Sequence, residues 1–177
     1  MEKLSERLQT PISTAELERR WAAVRAAMER DKIDVLLMQN NVEQMGGYVK
    51  YFTDLTATNG YPLTVVFPRD DLMTLVSQGP LGGEFTPGVN GDGVRRGVKQ
   101  WFTTPSFASC NYTASYDPEL AARGLAPYAG GTIGLVGTYQ HMSAQHLPRY
   151  LAEFDMALKG IAGKRLTYRR PDETAHA

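Results

Sequence analysis

A helix pattern followed almost at once by a buried-strand pattern constrains the fold of this chain most. Ser13 and Glu16 have the spacing of a capping box, and apolar side chains then recur at helical intervals. This pattern predicts an amphipathic helix from about Thr14 to Arg30. The apolar run Ile33–Met38 follows after two residues; it is too short for another helix and too continuously apolar for an exposed strand. A helix joined so closely to a buried strand indicates an α/β domain.

The rest of the chain continues this alternation around one hairpin. The sequence predicts these further elements: a short irregular helix capped by Asn40 or Asn41, the hairpin strands Tyr61–Phe67 and Leu72–Ser77, a strand at Val98–Thr103, a helix from Pro118 to about Arg123, a buried strand at Thr132–Gly137 and a final helix capped by Ser143. The Gly- and Pro-rich stretch from Gln78 to Gly93 is predicted to hold no regular element. The fold class expected is therefore three-layer α/β/α with a mixed β-sheet.

The composition indicates one ordinary globular domain without a polyanionic partner. Of its 177 residues, 42% are hydrophobic and 21% are charged. Lys plus Arg and Asp plus Glu number 19 each, so no net positive charge attracts nucleic acid or an anionic membrane. We therefore expect neither nucleic acid nor a membrane as a partner. The single cysteine, Cys110, and a first segment without a signal-peptide pattern predict a cytoplasmic location.

The histidine spacing argues against a metal centre in this chain. His141 and His146 are five residues apart, which places them about 140° apart around a helix, and His176 is the third histidine. Two such side chains do not bind one ion from one helical face. Nothing in the sequence places a base beside Cys110, which is expected to be a buried or partly buried thiol and not a nucleophile. The sequence therefore predicts no catalytic residue, metal ligand or cofactor-binding residue.

Two pairs of adjacent charged residues have simple explanations. Asp70 and Asp71 lie between the hairpin strands, where turn chemistry accounts for them and their carboxylates are expected to point into water. Arg95 and Arg96 form a basic patch that is too small to bind nucleic acid. We expect neither pair to carry a function.

The last residues of the sequence have the pattern of a helix that is about to begin. Pro171 is followed by Asp172 and Glu173, and both proline and acidic residues are favoured in the first turn of a helix. We therefore assign residues 1–168 to the domain and residues 169–177 to a linker or to the first helix of a following domain.

A series of short motifs runs in a recognisable order through nearly the whole chain. The motifs are Leu17–Met28, Ile33–Leu37, Asn41–Val42, Tyr51–Asp54, Pro62–Ser77, Ile133–Val136 and Arg169–Glu173. Their order resembles that of the N-terminal domain of the creatinase, prolidase and aminopeptidase P family. This resemblance implies the ribonuclease H-like version of the three-layer α/β/α fold.

The resemblance also implies a role without catalysis. In such proteins a following pita-bread domain supplies two Asp, one His and two Glu to a dinuclear metal site, or uses a His-based mechanism without metal. Any divalent metal would therefore belong to that domain. The N-terminal domain shapes the substrate pocket, often that of the neighbouring subunit, and helps to form the dimer. The chain is thus expected to be a non-catalytic domain of an Xaa-Pro dipeptidase or creatinase-like hydrolase, inactive alone, homodimeric in the full-length protein, with a small peptide or amide as substrate.

The pocket residues implied by the resemblance are Asn59, Gly60 and Tyr61. In creatinases a Phe-Gly-Arg-Pro stretch at the start of the hairpin reaches the active site of the neighbouring subunit, and the stretch Asn59–Pro62 matches it here. Tyr61 replaces the arginine and removes a positive charge that could bind a substrate carboxylate, which argues against creatine as the substrate.

One alternative function stays open. The chain could be a free-standing binding or interaction module that has the same fold and no enzymatic activity. About 200 further residues after Ala177, with spaced Asp, Asp, His, Glu and Glu, would instead identify the chain as the non-catalytic domain of a hydrolase.

Overall fold

A computed structural model describes residues 12–40, 47–55, 63–80, 82–87, 93–104 and 118–136. The elements in these ranges are, in chain order, α1 (Thr14–Arg30), β1 (Val35–Asn40), α2 (Gly47–Thr53), β2 (Leu63–Pro68), β3 (Met73–Gln78), β4 (Glu84–Phe85), β5 (Val98–Thr104), α3 (Pro118–Leu125), a 3-10 turn (Ala126–Tyr128) and β6 (Ile133–Val136).

The described strands form one mixed sheet in the order β4-β5-β3-β2-β1-β6. The pairs β1–β2, β2–β3 and β4–β5 are antiparallel, whereas β1–β6 and β3–β5 are parallel. Strand β1 lies inside the sheet, with Val35 opposite Pro68 and Asn40 opposite Leu63 on β2. Its alternate side chains enter two separate apolar clusters, which explains why its sequence is continuously apolar.

Helices α1 and α2 cover one face of the sheet. The hydroxyl of Ser13 accepts a hydrogen bond from the backbone nitrogen of Glu16 at 3.2 Å, so the predicted cap begins α1. Leu17, Trp21 and Met28 on its apolar stripe are buried in the larger cluster. This cluster also takes in side chains of α2 and of strands β1, β2, β3 and β5, so α1, the largest helix described, is fixed by packing along most of its length.

Helix α3 covers the opposite face. Ala121 and Leu125 are fully or almost fully buried and pack with Val35 and Leu37 of β1 in the smaller cluster. Helices therefore lie on both faces of a mixed sheet. This is the three-layer α/β/α fold that the sequence predicts.

The Gly- and Pro-rich region contains one element that the sequence does not predict. Glu84 and Phe85 form the short strand β4, which pairs antiparallel with β5, so the prediction of no regular structure from Gln78 to Gly93 is wrong at this point. Two side-chain contacts with β5 stabilise this pairing. The ring centroids of Phe85 and Trp101 are 4.7 Å apart, and the side-chain amide of Gln100 donates a hydrogen bond to the Glu84 carboxylate at 2.6 Å.

The predicted cap of the second helix also needs correction. Asn40 is the last residue of β1 and pairs with Leu63, so it belongs to the sheet and does not cap a helix. Helix α2 is short, as predicted, and begins at Gly47. Asn41, the final helix expected after Ser143 and the boundary expected at residue 168 lie outside the described residues.

Candidate functional site

The predicted pocket residues Asn59, Gly60 and Tyr61 lie outside the described residues, which include the flanks of this segment at Leu55 and Leu63. Leu63 is the first residue of β2 and is buried against the larger cluster. Leu55 follows the end of α2.

The exit of α2, which we define as residues 52–55, is held by several tertiary and local hydrogen bonds. Trp21 of α1 donates its indole N–H to the carbonyl oxygen of Phe52 at 2.7 Å in a buried contact. The hydroxyl of Thr53 donates to the carbonyl oxygen of Val49 at 2.7 Å and accepts from the backbone nitrogen of Leu55 at 3.1 Å. The backbone of this exit is consequently tied both to α1 and to its own last turn.

Asp54 is the most constrained residue of the exit. Its φ of 58° lies in the left-handed region, which is uncommon for residues other than glycine. Its carboxylate oxygen Oδ2 accepts from Nη2 of Arg96 at 2.8 Å and from the backbone nitrogen of Ile12 at 3.1 Å. Arg96 in turn donates through Nη1 to the carbonyl oxygen of Ile12 at 2.6 Å. The Asp54–Arg96 pair therefore joins the start of α1, the exit of α2 and the start of β5.

This ion pair is buried and incompletely hydrogen bonded. The side chains of Asp54 and Arg96 are 1% and 9% exposed. Oδ1 of Asp54 and Nε of Arg96 are buried without a hydrogen-bond partner among the described residues. Burial of two charges costs solvation free energy, and each unpaired polar atom adds to that cost. The pair is therefore poorly explained by its contribution to stability alone.

A second candidate site is an open cleft of about 460 Å³ on the α3 side of the sheet. It lies between the β2–β3 turn and the 3-10 turn, and its lining residues are Asp34, Arg69, Asp70, Asp71, Pro127, Tyr128, Ala129 and Gly131. Arg69 contacts Asp34 at 3.3 Å and Asp70 at 3.0 Å, so it is paired with two carboxylates of the same wall. One guanidinium balances only one of these two carboxylates, so the lining keeps an excess of negative charge and does not favour an anionic ligand.

The Asp71 carboxylate has more hydrogen-bond partners than the sequence predicts. Its carboxylate does not simply point into water, because it accepts hydrogen bonds from the ammonium of Lys99, from the hydroxyl of Tyr128 at 3.1 Å and from the backbone nitrogen of Leu72 at 2.7 Å. Asp70 does remain largely in solvent, with its side chain 80% exposed. Turn chemistry explains Asp70 and the bond to Leu72, whereas the cluster of Asp71, Lys99 and Tyr128 is a tertiary contact between the turn, β5 and the 3-10 turn.

The hydrogen bonds in this cluster change its proton affinities. Partial burial acts to raise the pKa of Asp71, but the hydrogen bonds from Lys99, Leu72 and Tyr128 outweigh it and leave the pKa lowered. For Lys99, burial acts to lower the pKa, and the bonds to Asp71 and Tyr128 outweigh it and raise the pKa. Burial raises the pKa of Tyr128. A tyrosine whose pKa is raised does not supply a phenolate near neutral pH, so the cluster has no nucleophile or general base in Tyr128.

The other residues considered from the sequence have mostly structural roles or lie outside the described residues. Arg95 and Arg96 do not form a common basic patch, because Arg96 is buried with Asp54 while the guanidinium of Arg95 lies 3.8 Å above the ring of Trp101. Phe52 is buried in the core, as expected. Four of the residues considered lie outside the described ranges: Cys110, His141, His146 and His176.

The described residues contain neither a metal-binding cluster nor a membrane-spanning helix. In the described ranges, no group of three or more His, Cys, Asp or Glu side chains is placed to hold a metal ion. The residues described here therefore do not fit the dinuclear metal site of the catalytic domains that the resemblance implies. None of the helices in the same ranges is both long and apolar enough to cross a membrane.

Sequence reasoning missed the Asp54–Arg96 pair. The two residues are 42 positions apart, and no local pattern connects them. One signal was present: each charged residue lies beside an apolar element, Asp54 directly after the helix and Arg96 two residues before β5. Such a position indicates that the charge is close to the core, but it does not identify the partner.

Comparison with known proteins gives a likeness in structure without a match in sequence. No protein-family profile matches the chain, and no curated protein sequence matches it. The aminopeptidase P (Xaa-Pro aminopeptidase) of Streptococcus thermophilus matches it in structure with a TM-score of 0.52 at 14% identity, over 87% of this chain and 92% of that chain. An Xaa-Pro aminopeptidase of Streptococcus pyogenes matches with a TM-score of 0.50 at 15% identity, over 89% and 94% of the two chains.

This chain has the fold of those two aminopeptidase chains. The likeness extends over most of both partners in each comparison, so it concerns the whole domain and not a shared fragment. The creatinase/prolidase N-terminal domain of an X-Pro dipeptidase from Streptococcus pyogenes is also matched, with a TM-score of 0.46 at 13% identity over 91% of this chain and 98% of that chain. The likeness to the two aminopeptidase chains confirms the fold that the resemblance in the sequence implies.

Proposed function

We propose that this chain is a non-catalytic domain of an Xaa-Pro peptide hydrolase, where it shapes the substrate pocket and supports a homodimer of the full-length protein. The observation that carries the proposal is the structural likeness to the Streptococcus thermophilus Xaa-Pro aminopeptidase, which spans 87% of this chain and 92% of that one. Fold alone does not determine activity, so the sequence motifs in the same order are the second support.

In this proposal the substrate is a small peptide or amide, and the segment with Asn59, Gly60 and Tyr61 forms one wall of its pocket. Gly60 allows close approach of the backbone, and Tyr61 offers an aromatic ring and a hydroxyl group without a fixed charge. Divalent metal and the acid–base residues belong to a separate catalytic domain. The protein acts in the cytoplasm, consistent with its single cysteine.

Two experiments test this proposal. The first determines whether the coding sequence continues after Ala177 into about 200 residues with spaced Asp, Asp, His, Glu and Glu. The second assays purified full-length protein with Mn²⁺ for release of proline from Xaa-Pro dipeptides, and assays the 177-residue chain in parallel. We expect hydrolysis by the full-length protein and none by the chain alone.

The opposite results would favour the alternative of a free-standing binding module. An open reading frame without a second domain would contradict the proposal, as would a full-length protein that has a catalytic domain but hydrolyses neither Xaa-Pro peptides nor small amides. Calorimetric titration of the chain with Mn²⁺, Co²⁺ and Zn²⁺ is the matching control. Stoichiometric binding of one or two ions would show that this domain has a metal site of its own.

A further inference from the structure

The Asp54–Arg96 pair binds both backbone polar groups of one residue at the start of α1. The backbone nitrogen of Ile12 donates to Oδ2 of Asp54 at 3.1 Å, and the carbonyl oxygen of Ile12 accepts from Nη1 of Arg96 at 2.6 Å. Nη1 of Arg96 also donates to the hydroxyl oxygen of Thr14 at 3.4 Å, and Nη2 donates to Oδ2 of Asp54 at 2.8 Å. We call the contacts of Asp54 and Arg96 with Ile12 and Thr14 the Ile12 clamp.

Apolar packing contributes little to the first turn of α1. Ser13, Thr14 and Ala15 are exposed, and Leu17 is the first residue of the helix that is buried. Ile12 is only partly buried against the larger cluster. The Ser13 cap joins residues of the same turn. The Ile12 clamp instead attaches the start of α1 to the exit of α2 and to the residues before β5, which are 42 and 84 positions further along the chain.

The features of the ion pair itself favour a role in specifying one arrangement. Both charges are buried, and Oδ1 of Asp54 and Nε of Arg96 have no hydrogen-bond partner among the described residues. Asp54 also adopts a left-handed backbone conformation. A buried ion pair is often no more stabilising than apolar side chains of similar volume. Its hydrogen bonds are directional, however, so it permits few geometries where apolar contacts permit many.

We infer that Asp54 and Arg96 form a clamp that fixes the start of α1 against α2 and β5 and adds little to the overall stability of the fold. Without the pair, the first turn of α1 opens locally, while the rest of the helix stays packed in the larger cluster through Trp21 and Met28. The clamp does not depend on the proposed function, because its contacts lie within the described domain and involve no substrate.

The test removes both charges in the full-length protein with the double variant Asp54→Asn/Arg96→Met. Asparagine tolerates the left-handed conformation, and methionine fills much of the volume of arginine, so we expect the thermal midpoint to stay within about 4 °C of the original. Hydrogen–deuterium exchange at the backbone amides of Glu16 and Leu17 should become about tenfold faster, whereas exchange from Trp21 to Met28 should change less than about twofold. Unchanged exchange at Glu16 and Leu17 would overturn the inference.

The two single variants show whether the charges act as a pair. Arg96→Met leaves the buried carboxylate of Asp54 without its counter-charge, and Asp54→Asn does the same to the guanidinium of Arg96. Each single variant should lower the thermal midpoint by about 6–20 °C, because an uncompensated buried charge costs more than loss of the whole pair. A double variant that does not fold, or whose midpoint falls as far as those of the single variants, would overturn the inference, because the pair would then be a main source of stability.

A conservative variant tests the two-point contact separately. Arg96→Lys keeps the charge but offers one nitrogen in place of the planar guanidinium, so it cannot bind Asp54 and Ile12 through two separate amine groups. We expect a thermal midpoint close to that of the original protein and exchange at Glu16 and Leu17 that is about threefold faster, between the original and the double variant.

A matched control removes a different ion pair of the same domain. Glu84 and Arg123 are joined at 3.0 Å between β4 and α3, and both side chains are about half exposed. The double variant Glu84→Gln/Arg123→Met should leave exchange at Glu16 and Leu17 within about twofold of the original protein. An equal acceleration in the two double variants would overturn the inference, because the effect would then follow from loss of any ion pair.

Discussion

The indole ring of Trp21 lies directly against the backbone of Gly97. A Cβ atom at residue 97 would stand 2.6 Å from Cη2 of Trp21, and the φ of Gly97 is 68°, in the left-handed region. Trp21 also donates its N–H to Phe52 at 2.7 Å. One side chain of α1 therefore contacts both the residue just before β5 and the exit of α2, and it connects the layer of helices to the sheet at this position.

Replacement of Gly97 by alanine should destabilise the domain by about 2–4 kcal/mol, because the methyl group meets the rigid indole ring and the backbone conformation becomes strained. Chemical denaturation measures the change. Gly82→Ala is the matched control, since Gly82 has a similar φ of 67° but no heavy atom of the described residues lies within 4 Å of an added Cβ. The control should cost about 1 kcal/mol from backbone strain alone. Equal losses in the two variants would show that Trp21 moves aside.

Truncation of Leu36 tests the packing of β1 beneath α1. Leu36 is 7% exposed and shares the larger cluster with Trp21. Leu36→Ala should lower the free energy of unfolding by about 2–5 kcal/mol through lost transfer free energy and a residual cavity. Phe85→Ala, at a side chain that is 40% exposed, should cost at most about 1.5 kcal/mol. A loss below about 1 kcal/mol for Leu36→Ala would contradict the burial of this strand face.

The sequence predicts those elements whose formation depends on residues within the element itself. The cap at Ser13 and the apolar run of β1 each lie within one element, so their patterns are visible without knowledge of the fold. Strand β4 is different. It is a two-residue strand that depends on pairing with β5 and on the contact between Phe85 and Trp101, and a Gly- and Pro-rich sequence gives no sign of either.

The same distinction applies to the polar clusters. Asp71 lies in a turn, which the sequence shows, but its partners Lys99 and Tyr128 are 28 and 57 residues away. Turn propensity predicts the turn but not the tertiary partners. Asp70 is solvated as expected, whereas the Asp71 carboxylate, although 45% exposed, also has tertiary hydrogen bonds that the sequence does not predict. The pocket residues implied by the family resemblance, among them Tyr61, stay a prediction.

Removal of the Asp71 carboxylate should make stability less dependent on acid pH. Because the pKa of Asp71 is lowered on folding from its ordinary value of 3.8, the carboxylate stabilises the fold above that pH, and this contribution is lost as the pH falls through the lowered value. Because the Asp71 side chain is 45% exposed, solvent screens these interactions, so Asp71→Asn should cost only about 0.5–1 kcal/mol at pH 7, and its difference from the original protein should shrink below about pH 4. Urea denaturation at several pH values measures both effects.

Asp70→Asn provides the control for this experiment. Asp70 is the adjacent acid of the same turn, and its side chain is 80% exposed, so its replacement should change stability by less than about 0.5 kcal/mol at either pH. A pH-independent difference between Asp71→Asn and the original protein would mean that the hydrogen bonds of Lys99 and Tyr128 do not lower the pKa of Asp71 in solution.

Tyr61 is the residue through which the proposed function can be tested most directly. In the full-length protein, Tyr61→Ala should lower kcat/KM for the best Xaa-Pro peptide or small amide. The loss should correspond to about 1–3 kcal/mol of transition-state stabilisation, because a hydroxyl donor and an apolar side chain that covers the substrate are removed together. Metal content and the unfolding midpoint should stay unchanged. Tyr51→Ala is the control, since it removes a tyrosine of α2 that is 40% exposed and has the guanidinium of Arg20 4.7 Å from its ring centroid.

Tyr61→Phe separates the two contributions: retention of activity would assign the effect to the ring, and loss would assign it to the hydroxyl. If Tyr61→Ala leaves kcat/KM unchanged, Tyr61 does not contact the substrate, and support of the dimer is then the role left to this domain in the proposal.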